Sequence, residues 1–225
     1  MKKYRHEFKY LISDMQAEIL KQRIHLIAGL DKNVNEDGYY SIRSLYFDDY
    51  DNRCFYENIN GIDPRGKFRI RTYNNNINYV SLEYKRKERS MTLKNTYELT
   101  EFQYKRLIDG KTIDCTDNAL VNMLNMEMRC HGMRPIIIVG YDRIPFVYEY
   151  GNVRITIDTN LYASDDVQGY LLNNINKRPV LPIGLNILEV KWDEYLPDAV
   201  FRTCQLDNLT QTAFSKYCVC RRFYL

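Results

Sequence analysis

The chain has 225 residues, 45% of them hydrophobic, which suffices for one sizeable domain over 1–225 whose core needs no crosslinks. Its 32 basic residues are nearly matched by 29 acidic ones, so a net charge of +3 gives no argument for a nucleic-acid partner. Six cysteines at irregular spacings, with no CxxC pair, read as reduced thiols; the charged stretch Met1 to Glu7 offers no signal peptide or membrane span, and a cytoplasmic protein is expected.

Tyr4 to Leu11 alternates, with Arg5, Glu7 and Lys9 on one face and Tyr4, His6, Phe8 and Tyr10 on the other, which predicts a strand. Ser13 and Gln16 have capping-box spacing, and Ala17, Leu20, Ile24 and Ile27 then keep helical spacing up to Gly29. A strand follows over Tyr40 to Phe47. The polar stretch Asp48 to Asn60 suggests a short helix or turn before Gly61, Pro64 and Gly66. Three strands come next, Lys67 to Tyr73, Tyr79 to Arg89 and Met91 to Leu99. They put Lys67, Arg69 and Arg71, then Glu83, Lys85 and Lys87, then Thr92, Lys94, Thr96 and Glu98 each on one face. Thr100 with Gln103 predicts a helix through Leu107, and Asp117 a second through Met128. Strands resume over Pro135 to Val147, Val153 to Leu161 and Asn186 to Trp192, and Leu196 to Tyr217 reads as helical. Twenty tyrosines and nine phenylalanines agree with a strand-rich chain.

Any one of these strands could simply turn its charges to water. Taken together they ask for more, because several mix Arg and Lys on one face and like charges opposite one another across strands repel. An anion on that face removes the cost. Closing the sheet into a barrel points the charges inward, where a lower dielectric strengthens contacts to a polyanion such as a nucleoside triphosphate. The carboxylates Glu7, Glu83, Glu98, Asp158 and Glu189 either pair with those cations or offer oxygen to a hard divalent ion. No GxxxxGK[ST] loop, GxGxxG, GxSxG or HExxH is present. Phosphate would be held by side chains, and phosphoryl transfer needs little from a protein beyond positioning and charge neutralisation.

In order along the chain, Arg5-x-Glu7-x-Lys9-Tyr10, Ser44-Leu45-Tyr46-Phe47-Asp48, Lys67-x-Arg69-x-Arg71-x-Tyr73, Glu83-x-Lys85, Tyr141-x-Arg143, Arg154-x-Thr156-x-Asp158, Leu188-Glu189-Val190-Lys191 and Phe214-Ser215-Lys216-Tyr217 resemble the VTC domain. That domain is the catalytic part of the eukaryotic vacuolar transporter chaperone polyphosphate polymerase, within the triphosphate tunnel metalloenzyme (CYTH-like) superfamily. Position 5 is Arg where the wider superfamily has the first Glu of ExExK, as in the polymerase branch.

The resemblance implies an α+β fold, an eight-stranded antiparallel β-barrel tunnel with flanking helices. It also implies transfer of the γ-phosphate of ATP onto inorganic polyphosphate with Mn2+ or Mg2+. Carried over, Lys9, Arg69, Arg71, Lys85 and Arg154 are expected to act on the reacting phosphates. Arg43, Lys94, Arg143, Lys191, Ser215 and Lys216 are expected to bind phosphate, and Glu189 to bind the metal. The eukaryotic relatives also carry a phosphate-sensing domain and membrane helices, neither of which is read here. A triphosphatase on the same scaffold and a non-catalytic polyphosphate-binding module are the rival readings. A nucleic-acid binder fits less well, because the aromatics alternate away from the basic face.

Overall fold

The computed structural model describes residues 4–113, 117–205 and 209–225. Its strands are β1 (His6–Ser13), β2 (Gly29–Leu30), β3 (Tyr40–Asp48), β4 (Arg65–Tyr73), β5 (Val80–Glu88), β6 (Met91–Leu99), β7 (Arg134–Tyr148), β8 (Val153–Ser164), β9 (Arg178–Pro179) and β10 (Leu185–Trp192). Its helices are α1 (Asp14–His25), α2 (Arg53–Ile59), α3 (Glu101–Ile108), α4 (Ala119–His131), α5 (Asp198–Cys204) and α6 (Lys216–Arg221). All strand pairs are antiparallel, and the main sheet runs β1-β10-β8-β7-β3-β4-β5-β6, with β2 added to β7 and β9 to β8. The sheet curls until its edges meet: Arg5 and Thr92 exchange two backbone hydrogen bonds of 2.9 Å.

Local chemistry sets the element ends. Ser13 and Gln16 form a complete capping box on α1, and Thr100 and Gln103 form another on α3. The β5–β6 hairpin turns on Arg89 and Ser90, both at positive φ (48° and 64°), the geometry a two-residue hairpin needs. Neither residue favours it, and the Asp63 carboxylate holds the turn by accepting the Arg89 N–H at 2.9 Å.

The apolar side chains face outward and are covered there. Leu45, Phe68, Ile70 and Leu82 join Leu107, Val121 and Leu124 of α3 and α4 in one core. On the other side of the barrel, Ala17, Leu20 and Ile24 of α1 pack with Phe146, Ile155, Leu188 and Val190. Helices thus remove the hydrophobic face of the sheet from water and leave the charged face as the lining.

Two expectations change. Helical structure does not run from Leu196 to Tyr217: α5 stops at Cys204, and Gln211 bridges Tyr10 in an extended segment before α6 begins at Lys216. The Asn118 side chain, not Asp117, caps α4 by accepting from Leu120 and Val121. Five cysteines are free thiols, as read, and Cys115 lies outside the described residues.

Candidate functional site: a cation-lined tunnel

The alternation of β4 sends Arg65, Lys67, Arg69 and Arg71 inward, and register carries the same face across neighbouring strands. Tyr46 and Ser44 of β3 stand opposite Arg69 and Arg71; Lys85 and Glu83 of β5 stand opposite Lys67 and Arg69. The cavity they line measures about 490 Å3. Lysines and arginines of its lining outnumber the two lining carboxylates, Glu7 and Glu189, several-fold.

Each carboxylate near the cavity is shared among cations. Glu83 takes Arg69 Nη2 at 2.6 Å and Lys94 Nζ at 3.0 Å. Burial alone would raise its carboxyl, but Arg69, Arg71 and Lys94 outweigh this and hold it well below the usual range. Asp158 receives Arg143 and Lys216, each at 2.6 Å. Glu189 binds Lys216 at 2.7 Å and Lys9 at 3.6 Å through Oε1, and Lys191 at 2.6 Å and Arg143 at 3.4 Å through Oε2. Despite burial, those cations hold Glu189 ionised, and Asp158 with Glu189 pushes the Lys216 ammonium up. Burial brings the Lys85 ammonium down to about 7, with Lys9 and Lys191 adding to the shift and Glu7, 3.0 Å away, opposing it. The pair is unequal because Glu7 is shared by three ammonium groups, whereas Lys85 faces the other two.

Tyrosines fill the space between the cations. Tyr46 Oη accepts from Arg69 Nη1 at 2.8 Å, and Tyr141 Oη from Arg71 at 3.3 Å and Arg143 at 3.5 Å. Burial would raise the Tyr46 phenol, but Arg69, Lys67 and Arg71 lower it. Tyr217 donates to Asp48, which also accepts the N–H groups of Cys54 and Phe55. Two separated sequence motifs thereby meet and fix α6 across the barrel, with Lys216 pointing into the cavity.

Of the expected residues, Lys9, Arg69, Arg71, Lys85, Arg143, Lys191, Ser215, Lys216 and Glu189 all line the cavity. Lys94 reaches Glu83 from the open β6 side, its side chain 47% exposed. Arg154 is exposed and outside the lining; it stands in register with Lys191, near the start of β8. Arg43 is on the wrong face. Because Ser44 and Tyr46 point inward, Arg43 points outward, where it donates to the carbonyls of Tyr170 (2.8 Å) and Leu172 (2.6 Å) and to Tyr162 Oη. Its role there is to tie the 168–171 turn to the sheet. Lining residues that the sequence did not single out as ligands are Lys67, Arg65, Lys87, Tyr46 and Tyr141; the shared face of Lys67 and of Lys87 with their strand neighbours was legible, but not that neither has a carboxylate partner among the described residues.

A resident metal does not fit these residues. Among the described residues no three His, Cys, Asp or Glu side chains group as metal ligands. A hard divalent ion wants several oxygens, and Glu189, already facing four positive groups, shares its lysines with Asp158 and Glu7, so those oxygens are taken up by cations of the protein itself.

The model of a family described as the VTC domain matches residues 4–224. No curated protein matches the chain. Among solved structures, a Hippeastrum protein, HpAC1, described as an adenylyl cyclase candidate with a dominant triphosphatase activity, aligns over 99% of this chain and 96% of its own. The TM-score is 0.55 at 12% identity. A candidate adenylate cyclase of Bacillus halodurans aligns over 90% of this chain and 86% of its own, with a TM-score of 0.52 at 14% identity. At such identities the likeness is one of fold, the triphosphate tunnel (CYTH-like) fold.

Proposed function

This chain belongs to the VTC domain family, and from that premise we propose that its tunnel transfers the γ-phosphate of ATP onto a polyphosphate chain. The observation that carries the proposal is the excess of lysine and arginine over carboxylate in the lining of the tunnel cavity. Such a lining is self-repelling when empty and is relieved by a polyanion.

Arg69 and Arg71 offer planar donors to phosphate oxygens, and Arg143, Lys216 and Lys9 surround the same space from the opposite wall. In-line attack by the terminal phosphate of the polymer on the γ-phosphorus breaks the bond to the β-phosphate and releases ADP. The side chains position both anions and offset the charge on the transferred group. No protein residue becomes covalently modified. Manganese or magnesium enters this reading as a companion of the nucleotide's phosphate oxygens, not as a resident ion. Arg154, exposed beside Lys191, is assigned to the approach rather than to the centre of the tunnel.

Incubating the pure protein with ATP and manganese, and resolving products by gel and phosphorus NMR, tests the proposal. Lengthening polymer with ADP is the expected result. Orthophosphate without polymer would assign the tunnel to triphosphate hydrolysis. If neither forms and Arg69→Ala leaves ATP affinity unchanged, both enzymatic readings fall.

A further inference from the structure

The two walls of the tunnel are charged differently. On the wall built from β1, β7, β8 and β10 with α6, each lining lysine and arginine pairs with Glu7, Asp158 or Glu189. On the β4–β5 wall, Glu83 serves Arg69 and Arg71, but Arg65, Lys67 and Lys87 have no carboxylate within 4.0 Å among the described residues. Lys67 is the most exacting case. Its ammonium meets the Ser215 hydroxyl at 3.1 Å and the faces of Tyr217 and Tyr46, 5.3 and 5.9 Å from the ring centroids. Burial lowers its pKa, the mark of a cation that has given up water without gaining a counter-ion.

We propose that Lys67, flanked by Arg65 and Lys87 where β4 begins and β5 ends, forms a separate anion subsite for the phosphates of a linear polyphosphate chain. The inference rests on the polyanion reading of the tunnel and adds to it the place where the polymer lies. A polymer suits this place better than a nucleoside does. The two rings nearby are tilted against each other with centroids 5.1 Å apart, and the Lys67 ammonium already lies over both, where a base would have to stack. Binding here also breaks no existing ion pair, whereas an anion at Lys216 or Lys191 must compete with Glu189.

Calorimetric titration with tripolyphosphate and with long-chain polyphosphate, in EDTA, separates the possibilities. Lys67→Met keeps the stem and removes the charge. It is expected to weaken long-chain binding by about tenfold or more, the scale of one charge-assisted hydrogen bond, and to weaken tripolyphosphate much less. Its melting temperature should hold or rise, since an unpaired buried ammonium is lost. Unchanged long-chain affinity, with or without a fall in melting temperature, overturns the subsite. Should Lys67→Met not fold, the rim pair Arg65→Gln/Lys87→Gln carries the same comparison. If the unmodified protein binds neither anion, the polyanion reading itself fails.

Discussion

Arg143 and Asp158 face each other across β7 and β8 as a bidentate ion pair, Nε to Oδ1 at 2.6 Å and Nη2 to Oδ2 at 2.7 Å, with Asp158 wholly buried. Lys216 closes on the same carboxylate. Removing one partner strands a buried charge, so Asp158→Asn should lower the unfolding free energy by about 3 kcal/mol or more. The double change Arg143→Met/Asp158→Leu should recover much of it. Denaturant unfolding of the single and double variants checks this; a double variant as weak as the single one contradicts it.

Asp158, Glu7, Glu83 and Glu189 are all held below the usual carboxylate range by neighbouring cations, which outweigh burial. Groups with depressed folded-state pKa contribute stability that is present above their unfolded values, about 4, and is lost as pH falls through the folded ones. Acid unfolding should therefore begin below about pH 4 and be delayed by tripolyphosphate. A melting temperature flat down to pH 2 would contradict it.

Lys85 gives a second rise of stability with pH, in a higher window. With its ammonium brought to about 7, largely by burial, the unfolded chain binds the extra proton between that pH and about 10, and this group's contribution to stability rises with pH across that window. Anion binding needs the charged form, so tripolyphosphate affinity should fall over the same window. Binding near neutrality should also take up protons. Calorimetry in buffers of different ionisation enthalpy reads the uptake, and Lys85→Met should abolish it.

Glu189→Gln removes the counter-charge of four cations. The empty variant should be less stable by about 3 kcal/mol, and tripolyphosphate in EDTA should raise its melting temperature by more than that of the unmodified protein. If EDTA abolishes the ligand-induced shift in the unmodified protein, the carboxylate is serving a metal.

Gly140 is crossed by the Tyr162 ring, whose hydroxyl reaches Arg43 Nε, and a Cβ at Gly140 would collide with the ring and its hydroxyl. Gly140→Ala should cost about 1 to 3 kcal/mol through displaced packing. Because Arg43 faces outward, tripolyphosphate affinity should stay close to normal; a large loss would return Arg43 to the tunnel.

Most of this architecture is legible in strand parity. Met91–Leu99 and the two capping boxes stand where the sequence puts them, because alternation and capping are local signals. Arg43 shows the limit: one residue of phase reverses a side chain, and only the pairing of Ser44 with Arg71 fixes that phase. Glu189 shows another, since a carboxylate in a motif says nothing of the four cations that converge on it from β1, β7, β10 and α6. The extended segment before α6 leaves no local signal because its pairing partner, Tyr10, is some 200 residues away in sequence.

The order of strands also carries information about time. β3 to β6 lie side by side in chain order, joined by local connections, whereas β1 has its pairing partner in β10, near the other end of the described chain. Local pairings form early and distant ones late, so hydrogen-exchange pulse labelling should protect 65–99 before 6–13. During that interval Arg69 and Arg71 already have Glu83 beside them, and Lys67 stands on an open sheet while the wall that carries Glu7 and Glu189 is still elsewhere. A polyanion present then would meet this basic face before the opposite wall arrives, and would act as a template for its closure.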